Sequence, residues 1–330
     1  MARMRSLPED FCVDELPLYR PSGSGDHTFL HIEKRLRTTE DVAHLLARFA
    51  GARTRDVGYA GRKDRVALTT QWYSVPGLDP QRARELEMPG VRVLDAIRHG
   101  HKLRTGHLSG NRFRIFLREV DARQSEAAIR RLEEIRRIGM PNRFGVQRFG
   151  RDGENAERGR RLLRGERSRE DRRNARFLLS ALQAEVFNAV LEDRTASLDT
   201  VDVGEVAMVH ASGGCFVVED LAREAPRAAV FEISATGPIF GTKVLEAAGE
   251  ARLREHRLLE RFEVLPEDLR VPRGIRLRGA RRALRVRPGA ATAERYDDGL
   301  LLRFSLPPGS YATVLIEEIL DSRDRAVQPG

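Results

Sequence analysis

Cysteine, lysine and long apolar runs are all scarce in this chain. Its 330 residues include two cysteines, Cys12 and Cys215, too few for a disulfide framework or a thiolate metal site, and neither sits in a C-x-x-C pair. Plain burial is expected for both. No apolar run approaches the roughly 18 residues that a membrane-spanning helix needs, and the opening MARMRSLPEDF lacks the apolar core of a signal peptide. A cytoplasmic protein with no membrane association is therefore expected. The eight histidines include His27 and His31, four apart on a strand-like segment, but no acidic residue accompanies them at a recognised ligand spacing. No metal is expected, and no internal repeat or low-complexity tract is present.

Only four of the 58 cationic residues are lysine (Lys34, Lys63, Lys102 and Lys243), which leaves 54 arginines. Such a skew fits coding bias or a hot habitat better than function, so arginine-rich stretches are discounted. A lysine carries more information against that background, because its compact charge has a tunable pKa whereas arginine is a permanent fork. The formal net charge is +9 and the isoelectric point about 10.2, a balance that suits phosphate neutralisation and a nucleic-acid partner. With 41% hydrophobic and 32% charged residues, the composition is that of a soluble globular protein long enough for two domains or one domain with a large insertion.

One stretch invites a chemical reading. Gly58-Tyr59-Ala60-Gly61-Arg62-Lys63-Asp64-Arg65 places a carboxylate between cations after two glycines, and the alternating run through Thr69, Gln71 and Trp72 reads as a strand. Taken alone, Asp64 is more often a solvated surface charge than a reacting group. Strands are expected around Cys12, over Phe29–Glu33, Val91–Ile97 and Arg112–Leu117, and a helix from Thr38 or Thr39 to Gly51. The GSGD tetrad lacks a strand-to-helix context and reads as a turn rather than a phosphate cradle. An amphipathic helix is expected over Gln124–Ile138. The loop Pro141–Gly150 then combines Phe144, Phe149, Arg143 and Arg148, which suits either base stacking with phosphate contacts or a turn anchored by two rings.

From about residue 151 the character changes. Helices are expected over Ser168–Arg194 and Thr242–Arg261, with short strands at Val201–Met208, Cys215–Glu219 and Val230–Ile233 between them. Strand alternation returns at Gly274–Arg287 and Leu300–Leu306, and a last helix follows Pro307-Pro308-Gly309-Ser310 through Leu320. The ends resemble each other in style, as if a middle segment had been inserted into a sheet-containing domain.

GYAGRKDRVALTTQW resembles the G-x-K-D-x-x-A-x-T-x-Q signature of TruD-type tRNA pseudouridine synthases, and PNRFGVQRFG resembles their P-N-[YF]-F-G-x-Q-R-F-G segment. PEDFCVDE, SGDHTFLHIEK, KLRTGHLSGNRFRIFLREV and PPGSYATVLIEEIL match further segments in the family's order. The resemblance implies an α+β fold: a pseudouridine synthase catalytic domain with a mixed or antiparallel sheet and flanking helices (1–145 and 272–330), interrupted by an inserted α/β TRUD domain (146–271). It implies isomerisation of uridine in tRNA, at position 13 of the D-arm, by a monomer with no cofactor. Asp64 stands at the catalytic aspartate, with Lys63 before it as electrostatic partner. Asn111 and Phe113 match a G-N-x-F element of the active-site cleft, with Phe113 as a face for the flipped base, and Gln147 and Arg148 are expected to bind substrate. Arg143 and Ser109 depart from the residues usual at their positions. An RNA-binding protein or tRNA folding chaperone is the alternative, and a glycosidase-like hydrolase a third reading.

Overall fold

A computed structural model describes residue 4 and residues 6–150, 152–166, 170–264, 270–271 and 275–320. The chain forms two compact units: Met1–Glu133 with Pro288–Pro308 and Glu317–Gly330, and Glu134–Arg287 with Gly309–Ile316. The boundaries expected from the sequence, after 145 and after 271, fall inside the second unit.

The first unit contains β1 (Phe11–Pro17), β2 (His27–Arg35), α1 (Thr39–Ala50), β3 (Gly58–Tyr59), β4 (Leu68–Pro76), α2 (Pro80–Arg84), β5 (Val91–His99), β6 (Leu108–Arg118) and most of α3 (Ala122–Ile138). Two late strands, which follow those of the second unit in chain order, complete its sheet: β15 (Gly289–Tyr296) and β16 (Gly299–Leu306). The strand order is β15-β16-β6-β1-β4-β2-β5, with β3 on β4. β1 runs parallel to β4, while the other pairings are antiparallel. The sheet is therefore mixed, and the fold is α+β.

Local chemistry fixes α1 on this sheet. Thr38 caps its N-terminus by accepting from Asp41 N at 3.0 Å, and the Asp41 carboxylate in turn accepts from Thr38 N at 2.8 Å. Gly51 ends it at φ 65°, a left-handed conformation that glycine adopts without a Cβ penalty. Val42 and Leu46 of the helix pack on Leu30, Ile32, Tyr73 and Val75 of the sheet. Burying each such aliphatic is worth about 1.5–3 kcal/mol, which holds α1 over β2 and β4.

The second unit contains β7 (Met140–Pro141), α4 (Asn155–Leu163), α5 (Arg172–Asp193), β8 (Val206–Val209), β9 (Cys215–Val217), α6 (Leu221–Ala229), β10 (Ile233–Ile239), α7 (Gly249–Arg261), β11 (Arg270–Val271), β12 (Ile275–Arg276), β13 (Ala280–Ala283) and β14 (Arg285–Val286), plus the start of α8 (Ala312–Leu320). A four-stranded antiparallel sheet, β13-β10-β8-β9, packs through Ile233 and Ala235 on Phe187 and Leu191 of α5. β13 pairs with β10 and β14 with β7, and those pairings draw residues on both sides of the expected insertion into this unit.

Several sequence boundaries move for identifiable reasons. The helix expected from Thr242 starts at Gly249 because Thr242 N donates to Leu277 O and Thr242 O accepts from Gly279 N, both at 2.8 Å. The strand expected at Val230 starts at Ile233, since Val230 ends α6 and Phe231 is left-handed at φ 64°. The strand expected from Val201 begins at Val206, and the one expected over Cys215–Glu219 stops at Val217. The run expected over Gly274–Arg287 is broken into β12, β13 and β14, and Gly274, like Ser168, lies outside the described residues. Cys12 is buried, while Cys215 is only half-buried.

Candidate active site

The Gly61–Ala67 turn joins β3 to β4 and is tied down from three directions. Gln71 Nε2 donates to Gly61 O at 2.9 Å. The hydroxyl of Thr39, buried on α1, accepts from Lys63 N at 2.9 Å and donates to Gln71 Oε1 at 2.8 Å. Tyr73 Oη, fully buried, also donates to Gln71 Oε1, at 3.0 Å. These contacts explain the spacing of the motif: Ala67 and Gln71 are completely buried and hold the turn, while Asp64 is half-buried. Of the two glycines before Asp64, Gly58 is sterically required, since a Cβ there would collide with Leu103 O and Ser74 Oγ. Gly61 is not, because its Cβ would meet only Lys63 Nζ, at 3.7 Å.

Lys63 turns away from the role expected for it. Its ammonium sits 2.5 Å from Glu15 Oε2, with the side chains 6% and 1% exposed, and the second Glu15 oxygen accepts from Trp72 N at 3.1 Å. A buried cation that does meet the Asp64 backbone is Lys34, on β2. Lys34 is 1% exposed, and its Nζ donates to Asp64 O at 2.9 Å and to Arg37 O at 2.7 Å. Burial pulls the Lys34 pKa down to about 8, against the opposing pull of the Asp64 charge.

The sheet register adds Asn111. It lies directly across from Glu15 on one side and Leu306 on the other, and residues opposite each other in antiparallel strands share a face. Asn111 is thus one strand from the Glu15–Lys63 pair. Its Oδ1 is buried and has no hydrogen-bond partner among the described residues. An unmatched buried acceptor costs about 1–3 kcal/mol, so the position is set up for a donor that the described residues do not supply. Phe113, two residues on, is 7% exposed, stacked on Phe304 at 5.1 Å and edge-on to Phe11 at 6.3 Å. That placement makes it a core residue in this conformation rather than an open stacking face.

Gln147 and Arg148 belong to the second unit. Both fall on a short 3-10 turn, Val146–Arg148, where Gln147 is exposed and Arg148 Nη2 donates to Ser180 Oγ at 2.9 Å. The preceding Phe144 is anchored by Asn188, which accepts from Phe144 N at 2.8 Å and donates to Phe144 O at 3.0 Å. Its ring meets Phe187 edge-on at 5.6 Å. Gly145 allows close packing here, since a Cβ would lie 3.1 Å from the Tyr311 ring. Two segments far apart in sequence, at 141–148 and 309–313, are joined by this contact.

Comparison with known proteins decides the family. The profile described as tRNA pseudouridine synthase D (TruD) matches residues 1–170 and 171–319. The chain belongs to the TruD family. A tRNA pseudouridine synthase D from Anaeromyxobacter sp. (strain Fw109-5) is 46% identical over 96% of this chain and 92% of its own length. The corresponding protein of Thermus thermophilus is 44% identical over 96% and 88%. The crystal structure of a Methanosarcina mazei protein assigned as a TruD shares the fold, with a TM-score of 0.77, 20% identity and 97% and 93% coverage. As a TruD member the chain is a pseudouridine synthase, an isomerase. Glu15 and Lys34 were missed as site residues by sequence reasoning, although each ends a segment that matches the family: Glu15 in PEDFCVDE and Lys34 in SGDHTFLHIEK. The scarcity of lysine was the available signal for Lys34, and a carboxylate in alternation with Phe11 and Val13, on the buried face of its strand, was the signal for Glu15. Among the described residues no group of three or more His, Cys, Asp and Glu side chains could hold a metal ion, and no helix is long and apolar enough to cross a membrane.

Proposed function

We propose that this chain converts uridine to pseudouridine in tRNA, at position 13 of the D-arm, with Asp64 as nucleophile. The reading is supported above all by the placement of Asp64 in a turn anchored at Gly61, Lys63 and Asp64 itself, with a buried ammonium on its own carbonyl. Such anchoring pre-orients a reacting carboxylate before substrate arrives. The reaction breaks the C1′–N1 bond, turns the uracil and forms a C1′–C5 bond. The C5 proton is lost and N1 gains one, so there is no net oxidation or hydrolysis. The carboxylate would attack C1′ of the ribose or C6 of the base, or assist a glycal route.

The base must leave the RNA stack to be reached. Asn111 Oδ1 would accept from the uracil imide N3–H, Phe113 would support Asn111 from the core two residues along the same strand face, and Lys63 would act at one remove by fixing Glu15 and the turn. Gln147 and Arg148 would contact the RNA from the second unit. The protein would act in the cytoplasm as a monomer without a cofactor.

In Asp64→Asn, uridine isomerisation should vanish while tRNA binding stays nearly intact, as read by mapping carbodiimide-resistant adducts on treated tRNA and by a binding assay. Turnover retained in that variant would remove Asp64 from this role. Wild-type protein that binds tRNA without producing pseudouridine would favour a folding chaperone, and release of free uracil would indicate a hydrolase.

A further inference from the structure

The second unit carries an open cavity of about 340 Å³ lined by Asn142, Phe144, Arg148, Ser180, Arg281 and Arg282 among others. Three arginines reach it, and they are not equivalent. Arg281 is neutralised, since Glu255 holds its guanidinium through two bonds of 2.6 and 2.9 Å. Arg148 and Arg282 have no carboxylate within ion-pairing distance among the described residues. Arg282 is held by neutral oxygens alone: Nε donates to Asn142 O at 3.0 Å, and Nη2 to Asn142 Oδ1 and Gly309 O at 2.6 and 2.8 Å. Both guanidiniums sit over the same Phe144 ring, 4.2 and 5.8 Å from its centroid.

This pattern differs from that of a structural arginine. Arg285, 1% exposed, also lacks a carboxylate partner among the described residues, but each of its three nitrogens donates, to Ser234 Oγ and to the carbonyls of Ile138, Ala228 and Ile233. Arg148 is not satisfied in that way, because its Nε is buried with no acceptor among the described residues. Two cations beside one cavity, with no anion to balance them and with donors to spare, make a site that lacks a negative ligand. Phosphate geometry suits paired guanidinium forks. Burial pulls Arg282 down to about 10, with Tyr311 opposing and the Arg148 charge adding to the fall, as expected for a cation held near a like charge.

We propose that this cavity is a phosphate-class oxyanion site with Arg148 and Arg282 as its charged donors, and that one phosphodiester of bound RNA fills it. The RNA source of the anion rests on the tRNA-modifying reading above, while the anion site itself does not. Asn142 and Ser180 orient the two guanidiniums, and the Phe144 ring keeps them together on one surface.

The test uses the full chain. In wild-type protein labelled with ¹⁵N-arginine, inorganic phosphate should shift the Nε–H resonances of Arg148 and Arg282 saturably, and chloride at equal ionic strength should not. In the Asp64→Asn background, which holds tRNA without turnover, adding Arg148→Met should lower the slope of log binding constant against log salt by roughly one contact. Arg148→Lys, which keeps the charge, should restore most of it. Arg282→Met also releases Gly309, so it is interpreted only if its circular dichroism and melting match the parent. Absence of a saturable phosphate shift overturns the site. A shift with an unchanged salt slope in Arg148→Met overturns its use by RNA. A shift and a changed slope in a protein that never forms pseudouridine would uphold the site and defeat the enzymatic reading instead.

Discussion

In the first unit the ammonium of Lys63 rests on the Glu15 carboxylate at 2.5 Å, whereas in the second the guanidinium of Arg282 rests on three neutral oxygens and an aromatic face. Both arrangements take a cation out of bulk water, and they solve the desolvation problem differently. The lysine is balanced internally, so its charge is used up in holding the Asp64 turn. The arginine is oriented but not neutralised, so its charge remains available for a ligand. A buried cation with a carboxylate is therefore read as scaffold, and a half-buried cation held only by neutral acceptors beside a cavity is read as a binding group.

The strongest way to break this contrast is to remove the internal balance. Glu15→Ala leaves Lys63 buried without its counter-charge, which costs roughly 3–5 kcal/mol when a buried pair loses one member. Urea unfolding should show a loss of that size, and activity should fall with it because the turn loses its anchor. Glu15→Gln, whose single amide oxygen can still accept from Lys63 or from Trp72 N but not hold both places, should lose less. Equal stability of wild type and Glu15→Ala would mean that the pair is not the scaffold it is taken for here.

How much of this was legible beforehand follows from the same physics. The sheet, α1 and the family were readable because alternation, capping residues and turn glycines act locally: Thr38, Gly51 and the Phe113–Ile115–Leu117 stripe each do in the structure what their neighbours in sequence demand. The Glu15–Lys63 pair was not, because it joins residues 48 apart through a parallel β1–β4 junction that no local pattern specifies. For the same reason no local pattern showed that Lys34, on β2, holds the backbone carbonyl of Asp64. Arg282 was hidden by composition, one arginine among 54, and its setting beside a cavity with no carboxylate partner among the described residues shows only in three dimensions.

Lys34 sharpens the comparison through pH. Its pKa is about 8 in the folded chain against 10.5 when exposed, so between these values the unfolded state binds the proton and the folded state does not. Stability should therefore rise with pH across that window, and no change from this group is expected below about 8. Lys34→Met should flatten that segment of the stability profile relative to wild type. In catalysis the charge beside Asp64 is lost as pH climbs through about 8, so wild-type turnover should decline there. The variant should turn over roughly tenfold more slowly below it, about 1.4 kcal/mol in the barrier, without the decline. A variant that keeps the wild-type profile would show that Lys34 does not tune the site.

A smaller effect should come from changing the one neutralised arginine of the cavity. Glu255→Gln removes the counter-charge from Arg281 and makes the site more positive. Phosphate affinity, read from the same arginine resonances, should rise roughly threefold as the local potential grows, while melting should show some loss of stability. Unchanged affinity would mean that Arg281 does not face the anion.

The smallest predicted change concerns Gly61. Gly61 is the glycine of the G-x-K-D signature, yet the structure makes Gly58 the sterically required one. Gly61 is not in the left-handed region, and a Cβ there would have only the Lys63 ammonium near it, at 3.7 Å, an ordinary contact with an atom already fixed on Glu15. Replacing a glycine where the backbone tolerates alanine raises stability by about 0.4–1 kcal/mol through the unfolded chain. Gly61→Ala should therefore be slightly more stable than wild type in urea unfolding, with uridine isomerisation nearly unchanged. A clear loss of turnover with stability kept would mean that substrate passes over Gly61 closely enough to need the missing methyl's space. That outcome would move the glycine from the scaffold to the substrate path.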